Sequence, residues 1–299
     1  MFKNILMYRI DASWSSATAA QVEEALQATP FVECGASQEK SLGWIAPRGH
    51  AHGALLEAVA GQWIIKLMVE TKALPASVVN RKTQERVAQI EASSGRKPGK
   101  KETRDLKDDI RLELLPMAFT KQASVLMWID REARLLVMDA ASQARADEVV
   151  ALLVQALPGL ALSLINTQTS PAAAMADWLV TQDAPAGFSV DRECELKAAD
   201  ESKAVVRYAR HRLDTEEVQQ HVRDGKMPTR LAMTWNERVS FMLTEGLQLK
   251  KVAFLDGVFD SGSTSKEDDF DADVAIATGE LRKLLPDLIG ALGGEMAGA

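Results

Sequence analysis

The period of the hydrophobic positions changes several times along this chain, and each change marks an element. Ile5, Met7 and Ile10 sit in a short apolar run over residues 2–10, ahead of polar turn residues, which predicts a strand. Ala19, Val22 and Leu26 then recur at helical spacing, predicting a helix over about 17–28 that Pro30 stops. Gly61 precedes Trp63–Val69, a run short and β-branched enough for a buried strand. From Pro75 the apolar pattern thins. Residues 76–94 and 102–115 read as polar helices with narrow stripes, Val79/Thr83/Val87/Ile90 and Leu106/Ile110/Leu114. Between them, Ser93–Lys101 gathers helix breakers and cations and forces a reversal. Stripes this thin cannot be wrapped by core on all sides, so the helical hairpin is expected to project as an arm. They suit pairing with a second copy, as helical hairpins pair in a four-helix arrangement.

The joint after this hairpin is the most informative stretch. Pro116 stops the preceding helix because it lacks an N–H and its ring clashes with the turn before it. Phe119 then stands on a short connector near Lys121, either as a contact residue at the surface or tucked back into the core. Val125–Ile129 and Leu135–Met138 form a hairpin, and a helix over roughly 142–157 ends at Pro158-Gly159. Asp214-Thr-Glu-Glu217 has capping-box form with Asp as cap, opening a helix to about Asp224 that Gly225 terminates. A meander follows. Leu231/Met233/Trp235 and Val239/Phe241/Leu243 alternate with polar or small residues, Leu247–Leu255 completes it, and turns fall at Asn236-Glu237 and Glu245-Gly246. The last helix is expected from near Thr278, stacking Leu281, Leu285, Leu288, Ile289 and Leu292, with Pro286 kinking or restarting it. The sum is an α+β fold of mixed, largely antiparallel sheets with flanking helices and a projecting hairpin. The expected division is 1–75 with 118–160, 76–117 as the hairpin tip, and 161–299.

Composition bounds the function. With 299 residues, 46% apolar and 26% charged, the chain has the make-up of a globular protein large enough for two or three packing units. No apolar run approaches the roughly 20 residues of a membrane span, and the N-terminus lacks a signal-peptide pattern. Cys34 and Cys194 make no disulfide framework, which points to a cytosolic protein with reduced thiols. A net charge of −7 argues mildly against nucleic-acid binding, but the charge is segregated. Residues 96–121 hold eight Lys/Arg against five Asp/Glu, residues 203–230 seven against four, and residues 256–273 one against seven. An acidic protein can thereby keep a basic face.

Enzyme motifs are scarce. The chain contains no GxxxxGK[ST], Rossmann glycine fingerprint, GxSxG or CxxC. His50 and His52 lie between Gly49 and Gly53 without a nearby acid or Cys, as in a solvated loop, and the cysteines read as ordinary small buried residues. The acidic block Glu267–Asp273 is the best enzyme candidate, since spaced carboxylates can hold Mg²⁺ for nuclease chemistry. It reads more readily as a solvated acidic loop leading into a final strand and helix. Among the cations, Arg104/Asp108 fits an exposed i,i+4 pair. Arg207, Arg210, Lys226 and Arg230 stand out because they surround a sheet and a capped helix, with the acids expected on the other side of the cap. No base-reading motif is present, so any DNA contact would be to phosphate and independent of sequence.

Several blocks carry a resemblance. Phe2-Lys-Asn-Ile-Leu-Met-Tyr-Arg-Ile10, Cys34-Gly35, Gly43-Trp44, Leu74-Pro75, the 114–130 stretch, Gly225-Lys226 with Arg230-Leu231-Ala232, Phe270–Leu281 and Gly293-Gly-Glu295 together resemble the bacterial recombination-associated RdgC family from end to end. The resemblance implies a cytoplasmic, nucleoid-associated homodimer that closes into a ring around DNA and restrains the RecA recombinase. It implies no catalysis, no cofactor, no metal and no membrane partner. The hairpin would be the gate, through Leu106, Ile110 and Leu114. Phe119 matches the Phe of the family's Pro-x-Ala-Phe motif, and Arg210, Lys226 and Arg230 fall on basic positions of its inner surface. Lys97, Lys100, Lys101, Lys121, Arg207 and Arg212 complete the expected DNA contacts. Met117, Ala209 and His211 depart from denser basic runs, which lowers affinity unless Arg207 and Arg212 compensate. Two rivals remain: a metal-dependent nuclease using residues 267–273, and a protein–protein adaptor acting through the hairpin.

Overall fold

The computed structural model describes residues 1–14, 18–258 and 266–296, with side chains in the last stretch from Asp269 onward. Its elements are β1 (Ile5–Ile10), α1 (Ala19–Gln27), β2 (Lys40–Ile45), β3 (Leu56–Val59), β4 (Gln62–Ala73), α2 (Ala76–Ser94), α3 (Lys100–Leu114), a 3₁₀ turn (Leu115–Met117), β5 (Phe119–Asp130), β6 (Leu135–Asp139) and α4 (Gln143–Ala156). There follow β7 (Leu162–Leu164), α5 (Pro171–Thr181), β8 (Phe188–Ala198), β9 (Val205–Ala209), α6 (Glu216–Arg223), β10 (Lys226–Trp235), β11 (Val239–Thr244), β12 (Leu249–Phe254) and α7 (Lys266–Ala291). The chain packs into two compact units, one of Met1–Ala25, Ala46–Ile65 and Leu126–Ala299, the other of Leu26–Ile45 and Lys66–Val125. Strands β4 and β5 each contribute residues to both.

In the larger unit the strands lie in the order β6-β1-β12-β11-β10-β8-β9, with antiparallel neighbours throughout. The predicted meander is β10–β11–β12, and its alternation does what period-2 patterning requires. Leu231, Met233, Trp235, Phe241 and Leu243 face one way and pack with Met175 and Trp178 of α5 and Leu281, Leu285, Leu288 and Leu292 of α7. Each such side chain stabilises the fold by about 1.5–3 kcal/mol through lost apolar hydration. The β10–β11 turn has positive φ at both Asn236 (46°) and Glu237 (54°), the left-handed pair that fits a tight hairpin. At the other end of the core, Trp128 packs on Phe2 with ring centroids 6.3 Å apart. Its indole N–H donates to the buried Gln62 Oε1 at 2.7 Å.

The smaller unit pairs β2 with β4 from Lys40↔Thr71 to Ile45↔Lys66. Gly43 is obligatory there, because a Cβ would stand 2.3 Å from the Phe31 Cα. Helices α2 and α3 form the expected hairpin. Gly95 ends α2 in the left-handed region (φ 67°) with its N–H donating to Glu91 O, and Arg86 bridges to Glu113 on α3 at 3.2 Å. Val79, Thr83 and Ile110 are buried, whereas Val87, Ile90, Leu106 and Leu114 are half-buried.

The mixed α and β architecture with a large antiparallel sheet agrees with the patterning, but several local expectations do not hold. Helix α7 starts at Lys266, not near Thr278, so the residues from the acidic block to Thr278 are helix where a strand was expected. The helix also runs through Pro286 without a restart. Asp214 does not cap α6: the N-cap is Thr215, without a side-chain cap bond, because the Asp214 carboxylate is held by Arg212. Phe119 opens strand β5 instead of lying on a connector, and Cys34 is half-buried, its thiol donating to Glu70 O.

Candidate nucleic-acid interface

The anticipated cations fall into three groups. Lys97, Lys100 and Lys101 are exposed at the turn of the α2–α3 hairpin. There Glu102 pairs with Arg96 at 3.1 Å and accepts from the Gly99 N–H at 3.4 Å. Asp108 takes Arg111 as its partner at 3.9 Å in place of the expected Arg104.

Phe119 and Lys121 form the second group, on the exposed first half of β5. Phe119 is 86% exposed, Met117 72% and Leu112 56%, an unusual concentration of open apolar surface within one short segment. The alternative of Phe119 buried in the core is thereby overturned. Behind this segment, buried Glu70 accepts from Gln122 Nε2 and the Cys34 N–H, both at 2.7 Å. These bonds hold its carboxyl below the usual range.

The third group lies in the larger unit, where Arg207 and Arg230 occupy the sheet face opposite the α5 and α7 packing. One register row crosses four strands: Arg207 on β9 is opposite Glu195 on β8, Glu195 opposite Arg230 on β10, and Arg230 opposite Thr244 on β11. Arg207 and Arg230 are both exposed. A depression of about 310 Å³ on this face is lined by Glu195, Lys197, Thr229, Arg230, Gln248 and Lys250, among others. Lys226, at the start of β10, hydrogen-bonds His221 Nδ1 at 3.0 Å. Arg210 follows β9 in the left-handed region (φ 56°), exposed to solvent. Arg212 is clamped by Asp214 at 2.6 Å.

The acids do not segregate as expected. Glu195 accepts from Arg207 Nε at 2.6 Å and from the Thr229 hydroxyl at 2.7 Å. Those two bonds, Thr229 first, pull its carboxyl below the usual range, with nearby Arg230 adding to the effect. Behind the row, the buried Tyr208 ring stacks near His211 and its hydroxyl donates to Glu217 at 2.8 Å. Burial and that bond push its phenol up to about 12.

Two cations were missed in the sequence. The β11–β12 register shifts between Ser240 and Met242, and Lys251 has φ 53°, so a bulge breaks the alternation of β12. Lys250 is opposite Met242, and Lys251 reaches Glu193 on β8 at 2.7 Å, placing both lysines on the open face. Adjacent lysines inside an otherwise alternating strand were the available signal.

His50 and His52 are exposed, and no group of three or more His, Cys, Asp or Glu suited to a metal occurs among the described residues. Within the acidic block, Asp271 is paired with Arg48 at 2.6 Å, and the Arg48 guanidinium lies over the Phe270 ring. Glu267 and Asp268 lie outside the described side chains. Among the described residues no helix is long and apolar enough to cross a membrane.

The sequence comparisons agree on one family. A family model described as "Putative exonuclease, RdgC" matches residues 1–295. A protein of Dechloromonas aromatica (strain RCB) named "Recombination-associated protein RdgC" is 45% identical, covering 100% of this chain and 99% of its own length. Proteins of the same name from Cupriavidus pinatubonensis and Herminiimonas arsenicoxydans are 47% and 44% identical, covering 98% and 99% of this chain and the same shares of their own. The chain belongs to the RdgC family.

Proposed function

We propose that this protein binds DNA without reading its sequence, encircles it as a homodimer closed through the α2–α3 hairpins, and restrains RecA-dependent recombination by occupying the DNA. It acts in the cytoplasm at the nucleoid, without catalysis or a cofactor. The observation that carries the reading is the pair of exposed cations on one open sheet face, Arg207 and Arg230, with half-buried Lys250 beside Arg230. Arg210 and Arg212, which follow β9, and Lys226, on the α6 side of β10, add further cations in the same unit, while Phe119, Lys121, Lys97, Lys100 and Lys101 supply contacts from the other unit. Phosphate contacts of this kind fix affinity and leave base identity unread. A role in recombination is supported by the name its relatives carry. At the gate, half-buried Leu106 and Leu114 meet the second copy, with buried Ile110 supporting them from within the hairpin.

The test is fluorescence anisotropy with unrelated duplexes and a single strand of equal length, over a range of salt. Similar affinities with a steep salt slope are expected; absence of binding at low salt refutes the reading. A second reading, a metal-dependent exonuclease, is favoured by the description of the family model. It requires magnesium-stimulated cutting that is lost in Asp269→Ala/Asp271→Ala.

A further inference from the structure

The open sheet face carries its own competitors for phosphate. Glu195 stands between two arginines from flanking strands, bonded to Arg207 and opposite Arg230 in register. Two residues along the same strand, Glu193 takes Lys251 from β12. Both cations are mostly exposed, 74% for the Arg207 side chain and 67% for Lys251, so neither pairing is forced by burial. The Glu195 carboxylate, in contrast, is only 14% exposed and is fixed by Thr229. A fixed acid holding a mobile cation leaves the cation as the partner that moves.

We propose that Glu195 and Glu193 compete with DNA phosphate for Arg207 and Lys251, so that these cations engage DNA only by exchanging partners. The inference rests on the DNA-binding reading and assigns two carboxylates as determinants of its affinity. Chemistry supports the exchange: a guanidinium accepts carboxylate or phosphate through the same planar fork. An exposed ion pair contributes only about 0.2–1 kcal/mol, so a phosphate can displace it. The consequence is a salt slope shallower than the number of cations on the face implies, and a complex that releases readily.

The experiment compares wild type, Glu195→Gln and Glu193→Gln by anisotropy on one duplex across salt concentrations, with thermal melting as the folding control. Glutamine keeps an acceptor for the Thr229 hydroxyl while removing the charge. Either variant is expected to bind roughly three- to tenfold tighter near 0.1 M salt, with the slope steeper by about one phosphate contact. Should Glu195→Gln fail to fold, Glu193→Gln carries the test, since that side chain is 46% exposed. Asp177→Asn controls for overall charge: Asp177 is exposed on α5, the helix that packs against the opposite face. An equal gain in Asp177→Asn overturns the inference. So does binding by wild type with no gain in either glutamine variant, which leaves the DNA-binding reading intact. No binding by any of the three overturns both.

Discussion

Among the described residues Arg230 and Lys226 have no carboxylate bonded to them, unlike Arg207, Arg212 and Lys251; the Lys226 side chain bonds to an imidazole nitrogen. They are therefore ready to meet phosphate without breaking an ion pair, and replacing both by alanine should remove two full contacts. Each contact on duplex DNA contributes a slope of about −0.9 in log K against log salt. Referred to 1 M salt, one contact is worth about eightfold in affinity at 0.1 M, and two contacts roughly 60-fold. The double variant should lose about that much for every duplex alike, and its slope should flatten by roughly 1.8. Arg230 is exposed and Lys226 half-buried at the edge of the strand, so the melting temperature should hardly move. Anisotropy titrations on two unrelated duplexes at four salt concentrations give both quantities. An unchanged slope takes Lys226 and Arg230 out of the interface, and a loss confined to one duplex contradicts phosphate reading altogether.

Further outcomes can be checked alongside. Leu106→Ser/Leu114→Ser should weaken self-association; light scattering that finds an equally stable dimer contradicts the gate assignment. Trp128→Phe leaves buried Gln62 Oε1 without its donor and should cost about 1–3 kcal/mol in urea unfolding; an unaltered midpoint refutes the bond's importance. The chain has two tyrosines, and both phenols are raised: Tyr8 by burial, Tyr208 by burial and Glu217 to about 12. Their contribution to stability is fully present below pH 10 and declines as pH rises toward 12, because the unfolded chain ionises first. Absorbance near 295 nm should therefore lag behind free tyrosine, and half-ionisation of the folded protein at pH 10 refutes it.

The fold was legible where period and composition spoke together. The β10–β11 hairpin is written in alternation that β12 breaks at Lys250-Lys251, and α2 and α3 in their breakers and stripes. Strands β2, β3, β8 and β9 escaped notice because Gly43, Glu57 and the charged positions Asp191–Lys197 dilute the apolar signal, and pairing partners rather than propensity make them strands. The candidate site was legible as residue types but not as electrostatics. Asp214 looked like a cap until Arg212 claimed it, and Glu195 lies twelve positions before Arg207 in sequence yet directly opposite it in register. Sequence patterns assign such acids to a segment; only strand pairing assigns them to a partner.

The first strand and the last described one are neighbours: Ile5 pairs with Leu249, while the other edge of β1 is matched by β6. On a ribosome adding roughly 5–20 residues per second, the two would be separated by about 12–50 s of synthesis. Once β6 has emerged the early strand has that edge satisfied but an unfilled place beside Ile5, and the apolar face waits longer still for α7. The nascent chain thus keeps this apolar face uncovered until its final helix emerges, and a transcript broken before Lys266 should yield an insoluble product instead of a shortened, working one.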